Sequence, residues 1–199
     1  MEAGYLSREL LLTLRKLGSP LQGHPDRRML PLLEASTGSL GNGLSIGIGY
    51  ALAARLDKQD YRVYVMLGDG EVQEGQVWEA AMWAGYHHTD NLCAIVDYNK
   101  IQLDGWVKDI VDLEPLEPKW RSFNWHTVVI DGHDFPQVLG ALNEARATKG
   151  KPTCIIAHTI KGKGVSFMEN SVEFHGTAPT PEEVQRALEE LDREVATLG

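Results

Sequence analysis

The chain has 199 residues, 43% of them hydrophobic, with 28 acidic against 19 basic side chains and a formal charge of −9. That length fits one domain with a sizeable core. The acidic balance argues against nonspecific nucleic-acid binding, so an anionic ligand needs a metal or a few well-placed cations.

No apolar stretch approaches the roughly 18 to 20 residues of a membrane span. The opening MEAGYLSREL lacks the basic and apolar regions of a signal peptide, and a cytoplasmic protein is expected. Cys93 and Cys154, both inside apolar runs, read as buried reduced thiols.

In chain order, LSRELLLTLRKLG predicts a helix with Leu10, Leu11, Leu14 and Leu17 on one face, Ser7 as N-cap and Gly18 as the stop. An ordered loop follows to Leu33. GSLGNGLSIGIGYALAARL reads as a glycine loop entering a helix packed closely on its neighbours. Strand and helix then alternate. YRVYVML, NLCAIVDY, HTVVID and PTCIIAHT read as strands; EGQVWEAAMWAGYH, PLEPKWRSF and FPQVLGALNEARAT read as helices. The alternation implies a mostly parallel sheet with helices on both faces, an α/β fold. A polar, glycine-containing loop spans about 160–179. A helix over about 181–196 opens with a capping box of Thr180 and Glu183, with Pro181 at its first position. Residues 1–199 are read as one domain.

The first strand ends in Gly68-Asp69-Gly70, where α/β folds bind ligands, often phosphates. The dinucleotide fingerprint and the P-loop are both absent. An aspartate at that place becomes useful if a divalent cation stands between it and a phosphate. Mg²⁺ takes six hard oxygens, commonly one or two carboxylates with water and phosphate oxygens. Asn99 follows Gly70 after residues 71–98, about the length of a strand–helix–strand return, which brings DYNKI beside GDG. The Asp69 carboxylate, the Asn99 amide oxygen and a backbone carbonyl near Ile101 would form half an octahedron.

GDG followed at this distance by Asn resembles the metal–diphosphate motif of thiamine-diphosphate enzymes. The wording of GDGEVQEGQVWEAAMWAG and DYNKIQLDG resembles transketolase. So do LQGHPDRRMLPLLEASTGSLGNGLSIGIGYALA, DGHD and HTIKGKGVSFMENSVEFHGTAP, in the same order and over nearly the whole chain. The chain is similar to the amino-terminal, diphosphate-binding subunit of a split transketolase.

That resemblance implies the thiamine-diphosphate-binding fold, with thiamine diphosphate and Mg²⁺ as cofactors and Ca²⁺ or Mn²⁺ as substitutes. It implies Asp69, Asn99 and the Ile101 carbonyl as metal ligands. Gly68 and Gly70 would lie in the diphosphate motif, with Gly70 letting backbone approach the diphosphate. Gly38 and Leu40 would lie around the aminopyrimidine, and Glu74 at a subunit contact. His24 and His175 would face the sugar, and Lys161 the diphosphate or sugar. The implied reaction moves a two-carbon ketol unit from a ketose, or its phosphate, to an aldose. Taken singly, Asp69 reads equally as a turn residue, and His24 as a loop histidine. Asp131, His133 and Asp134 are explained by a turn and a helix cap. His87, His88, His126 and His158 match nothing in the family.

Two departures from the family shape the expectation. The glutamate that engages the aminopyrimidine belongs to a following pyrimidine-binding domain, so a second polypeptide is expected to supply it, in a heterotetramer inactive as separate chains. Family members also carry several dozen residues before YLSREL. Two other readings stay open. One is a non-catalytic structural or regulatory member, and the other a 1-deoxyxylulose-5-phosphate synthase-like enzyme.

Overall fold

The computed structural model describes residues 3–198; residues 1, 2 and 199, the ends of the expected domain, lie outside them. The glycine loop turns into α1 (Asn42–Leu56) at Gly41, whose φ of 83° favours glycine. Close packing explains the glycines inside α1. A Cβ on Gly47 would stand 2.5 Å from Val65 Cγ2 of strand β1 (Val63–Gly68). A single turn over Glu71–Gln73 leads to α2 (Gly75–Tyr86), where Ala80, Ala81, Ala84 and Gly85 are buried. A Cβ at Gly85 would fall 1.7 Å from the Phe123 carbonyl oxygen, so only glycine lets those backbones meet.

Strand β2 (Leu92–Tyr98) is followed by a two-residue hairpin pair, β3 (Ile101–Gln102) and β4 (Gly105–Trp106). Two short helices come next, α3 (Val107–Ile110) and α4 (Leu116–Ser122). Strand β5 (His126–Asp131), α5 (Phe135–Ala147) and β6 (Thr153–His158) complete the alternation. The four longer strands lie parallel in the order β1-β2-β6-β5. The chain therefore passes the place of β6 to build β5, then doubles back.

The two-residue period of the strands divides the core. Leu92, Ala94, Val96 and Tyr98 of β2, with Cys154 and Ile156 of β6, face α1, α2 and α4. Cys93 of β2 and Ile155 and Ala157 of β6 face Ala141 and Ala145 of α5 on the other side. Helices thus flank both faces, as expected. Coverage on the α5 side stops short of β1, where Tyr64 and Met66 are exposed. Both cysteines are free and buried, and burial pushes the Cys93 thiol up to about 12.

The final helix, α6 (Pro181–Leu198), opens with the reciprocal bonds of a capping box. The Thr180 amide donates to Glu183 Oε2 at 2.7 Å, and the Glu183 amide to Thr180 Oγ1 at 3.3 Å. Arg186 lies 4.6 Å over the Phe167 ring, fastening the helix to the preceding loop. Among the described residues no helix is long and apolar enough to cross a membrane.

One expectation is corrected. The segment from Ser7 to Gly18 is not a full α-helix but a 3-10 helix over Arg8–Thr13, without a side-chain cap at Ser7. It stops before Gly18 because Arg15 turns into the left-handed region at φ 59°. Leu11, Leu14 and Leu17 are exposed. Short helices draw their stability from burying an apolar face, and this face is not buried.

Candidate functional site

The carboxyl ends of β1 and β2 meet at Asp69 and Asn99. Asp69 follows the last residue of β1, and its amide donates to the Asp97 carbonyl of β2 at 3.3 Å. Its side chain is 1% exposed, deep for a carboxylate without a basic side chain bonded to it. Oδ1 accepts the Gly70 amide at 2.8 Å, and Oδ2 accepts the Lys100 amide. That second bond depends on Lys100 adopting φ 71°, an uncommon value for a side-chain-bearing residue. Burial raises the Asp69 carboxyl to about 6 against these two bonds; Asp97 adds to the rise, and the Lys161 charge opposes it.

Asn99, nearly buried, is held at both ends of its amide. Nδ2 donates to Asp97 Oδ2 at 2.9 Å, and Oδ1 accepts the Ile101 amide at 3.0 Å. Ile101 starts the small hairpin, with its side chain in the core. Gly70 packs under that hairpin, since a Cβ there would lie 2.5 Å from Gln102 Cβ. Sequence separation of some thirty residues thus becomes direct contact between GDG and DYNKI, as the strand–helix–strand spacing predicts.

The loop after β6 brings the cations. Lys161 acts electrostatically on both Asp69 and His175. Partial desolvation, with Lys161 nearby, holds the exposed His175 imidazole below its usual value. His133 anchors the start of this loop, its Nε2 accepting the Ile160 amide at 2.8 Å. The other polar groups of DGHD behave as a turn and a cap. Asp131 accepts the His133 amide, and Asp134 accepts the Gln137 amide at the head of α5.

A second group gathers at the glycine loop. Gly38 lies against His24, where a Cβ would come within 2.8 Å of the histidine Cβ. The exposed Leu40 offers its carbonyl to Gln76 Nε2 at 2.6 Å. Glu74 is exposed at the start of α2, and its Cβ would be 2.9 Å from a Cβ on Gly41. Glu71 joins the two groups. One carboxylate oxygen accepts the Gly41 amide at 2.8 Å and the other the Gly68 amide at 3.1 Å.

Sequence reasoning read His133 only as part of a turn, and it missed Asp97, Glu71 and Thr159, whose hydroxyl donates to Asp97. Their partners are mostly backbone or lie far along the chain, so spacing carries little signal for them. Only Asp97, two residues before Asn99, left a local clue. The four unmatched histidines have local partners. His87 stacks on Trp83, His88 bonds the Gly150 carbonyl, His126 pairs with Glu144, and His158 meets the Tyr98 ring edge-on.

Among the described residues, no three His, Cys, Asp or Glu side chains form a metal cluster. The available donor set is different in kind: one carboxylate, one amide oxygen and a nearby backbone carbonyl. These are hard oxygens, suited to Mg²⁺ with phosphate oxygens completing its shell. The rigid, nearly dry carboxylate of Asp69, its proton held only to about 6, fits a cation better than a surface turn.

Residues 3–196 match the family described as the thiamine diphosphate binding domain of transketolase. The chain is 46% identical over 193 residues to the 6-deoxy-6-sulfo-D-fructose transketolase subunit SqwG of Clostridium sp. (strain MSTE9), covering 97% of this chain and 70% of that subunit. It is 40% identical over 195 residues to an apulose-4-phosphate transketolase subunit of Phocaeicola vulgatus, covering 98% of this chain and 69% of the relative. The crystal structure of transketolase from Campylobacter jejuni superposes with a TM-score of 0.89 at 33% identity, over 94% of this chain and 30% of that one.

Proposed function

The chain belongs to the transketolase family, as its thiamine diphosphate binding domain, and from that premise we propose that it is the diphosphate- and Mg²⁺-binding subunit of a split transketolase. The observation that carries this reading is the meeting of Asp69 and the segment of Asn99 at two adjacent strand ends, with Lys161 in electrostatic reach. Asp69, Asn99 and the Ile101 carbonyl would hold the metal. Gly68 and Gly70 admit diphosphate to the backbone, and Gly38 and Leu40 border the aminopyrimidine. When bound, thiamine diphosphate supplies the carbanion chemistry of two-carbon ketol transfer.

The protein's own groups bind and orient. Lys161 offers a positive charge to the diphosphate or to an anionic sugar. His175, which partial desolvation and Lys161 favour in the neutral state, can accept a proton from a sugar hydroxyl as well as donate one. His24, braced against Gly38, takes the same kind of place from the glycine-loop side. The substrates are a ketose donor and an aldose acceptor. Two relatives are named for a sulfonated and a phosphorylated sugar, which supports donors with an anionic end.

Two relatives are also named as subunits. That supports a partner chain carrying the pyrimidine-binding domain, in a heterotetramer of two chains of each kind. The buried free thiols suit the reducing cytoplasm.

The test is calorimetric titration of thiamine diphosphate into the chain with Mg²⁺, then with EDTA, beside Asp69→Ala. Binding that needs metal and disappears in Asp69→Ala is expected. Equal binding in EDTA, or in the variant, overturns the metal assignment. Ketol transfer is expected only once the pyrimidine-binding subunit is added. Turnover of pyruvate with glyceraldehyde 3-phosphate instead would reassign the reaction.

A further inference from the structure

An asparagine side chain can present oxygen or nitrogen from nearly the same shape, and only the oxygen serves a cation. The orientation of Asn99 is therefore part of the metal site, on the proposed reading that Asn99 is a ligand. Its Nδ2 donates to Asp97 Oδ2 at 2.9 Å, while Oδ1 receives the Ile101 amide at 3.0 Å. Turned over, the amide would set oxygen against a carboxylate oxygen and nitrogen against an N–H. Both contacts would then be repulsive.

Asp97 is itself tied down. Its other carboxylate oxygen accepts the Thr159 hydroxyl, from the residue after β6. Its backbone carbonyl accepts the Asp69 amide. One residue thus links the ends of β1, β2 and β6 at the place where the proposed ligands meet. The Asp97 side chain is itself partly buried.

We infer that Asp97 is a positioning residue of the metal site, whose carboxylate, held by Thr159, keeps the Asn99 amide turned with its oxygen available to the cation. Asp97 does not ligate in this arrangement; its effect passes through Asn99. The Ile101 amide opposes a turned Asn99 independently, so loss of Asp97 weakens the site without abolishing it. Outer groups that orient metal ligands commonly change metal affinity by about 10- to 100-fold.

The test is a double-mutant cycle on the full chain with thiamine diphosphate, reading Mn²⁺ affinity by electron paramagnetic resonance. Asp97→Asn lets two amides pair in either sense, and Asn99→Asp sets two carboxylates against each other. The double variant restores one donor facing one acceptor at unchanged net charge. Each single change is expected to weaken Mn²⁺ binding by about 10- to 100-fold, and the double to recover most of that loss. Losses that simply add would overturn the inference.

A metal-free readout separates this from the ligand assignment. The Asn99 side-chain amide protons are expected to exchange slowly in the wild-type and Asp69→Ala proteins and quickly in Asp97→Ala, by nuclear magnetic resonance. Unchanged exchange in Asp97→Ala would also overturn it. Mn²⁺ affinity indifferent to Asp69→Ala would instead sink the metal reading beneath it.

Discussion

Lys161 carries one positive charge toward two groups of opposite need. It favours the ionised form of Asp69 and the neutral form of His175. For His175 partial desolvation is the larger cause, so removing the lysine should return only part of the shift. In the metal-free protein, the His175 ring signals are expected to titrate below 6.5 and to move upward, short of 6.5, in Lys161→Met. Because the unfolded histidine binds its proton more tightly than the folded one, this group lowers stability as pH falls from 6.5 through the folded-state value. An unmoved midpoint in Lys161→Met would show that the two side chains do not interact. At this scale the sequence was most informative about Asp69 and Asn99, since a strand end and a fixed return length brought them together. It held only a local clue to Asp97 and none to Glu71, because their identity as acceptors depends on which amides the fold delivers to them.

The helix α1 separates what glycine does for packing from what it costs a helix. Gly47 and Gly49 lie two residues apart in it, and both lack the propensity of alanine by about 1 kcal/mol. At Gly47 a Cβ would meet Val65 at 2.5 Å, whereas at Gly49 nothing lies within 4 Å. Gly49→Ala is therefore expected to stabilise the chain by about 1 kcal/mol. Gly47→Ala is expected to destabilise it by about 1–3 kcal/mol as α1 is pushed from β1. Urea denaturation of the two variants checks both signs, and a stabilising Gly47→Ala would mean that the α1–β1 contact is loose. Periodicity marked the long elements well, because each strand and helix buries a regular set of side chains. It failed at the leucine-rich segment near the start, where the pattern asks for a covered face and none of the described residues covers it. The hairpin of β3 and β4 was equally invisible. Two-residue strands have no period to read, and this pair is set by the turn between Gln102 and Gly105.

At the scale of the whole molecule, the strand order β1-β2-β6-β5 lay beyond what alternation can specify, since periodicity does not say which strands are neighbours. Nor could it show which helical faces stay bare. On α2, Met82, Trp83 and Tyr86 are exposed, in the helix that begins beside Glu74, and Leu40 is exposed on the glycine loop packed against the same end. Met and aromatic side chains gathered on a surface are the composition of an interface rather than of open surface. The chain spans about 70% of its subunit relatives and 30% of a solved transketolase, and the family resemblance implies Glu74 at a subunit contact. On the proposed function, the outer face of α2 would be the place for the pyrimidine-binding chain to rest. Trp83 can report this, since it is the exposed tryptophan among five, 38% accessible and stacked on His87 at 3.9 Å. On adding the partner subunit, tryptophan emission is expected to shift to the blue as Trp83 loses water. Trp83→Phe should remove that shift while light scattering still registers the complex. A complex that forms with no change in emission would place the contact elsewhere and leave the Met82–Tyr86 face without that role.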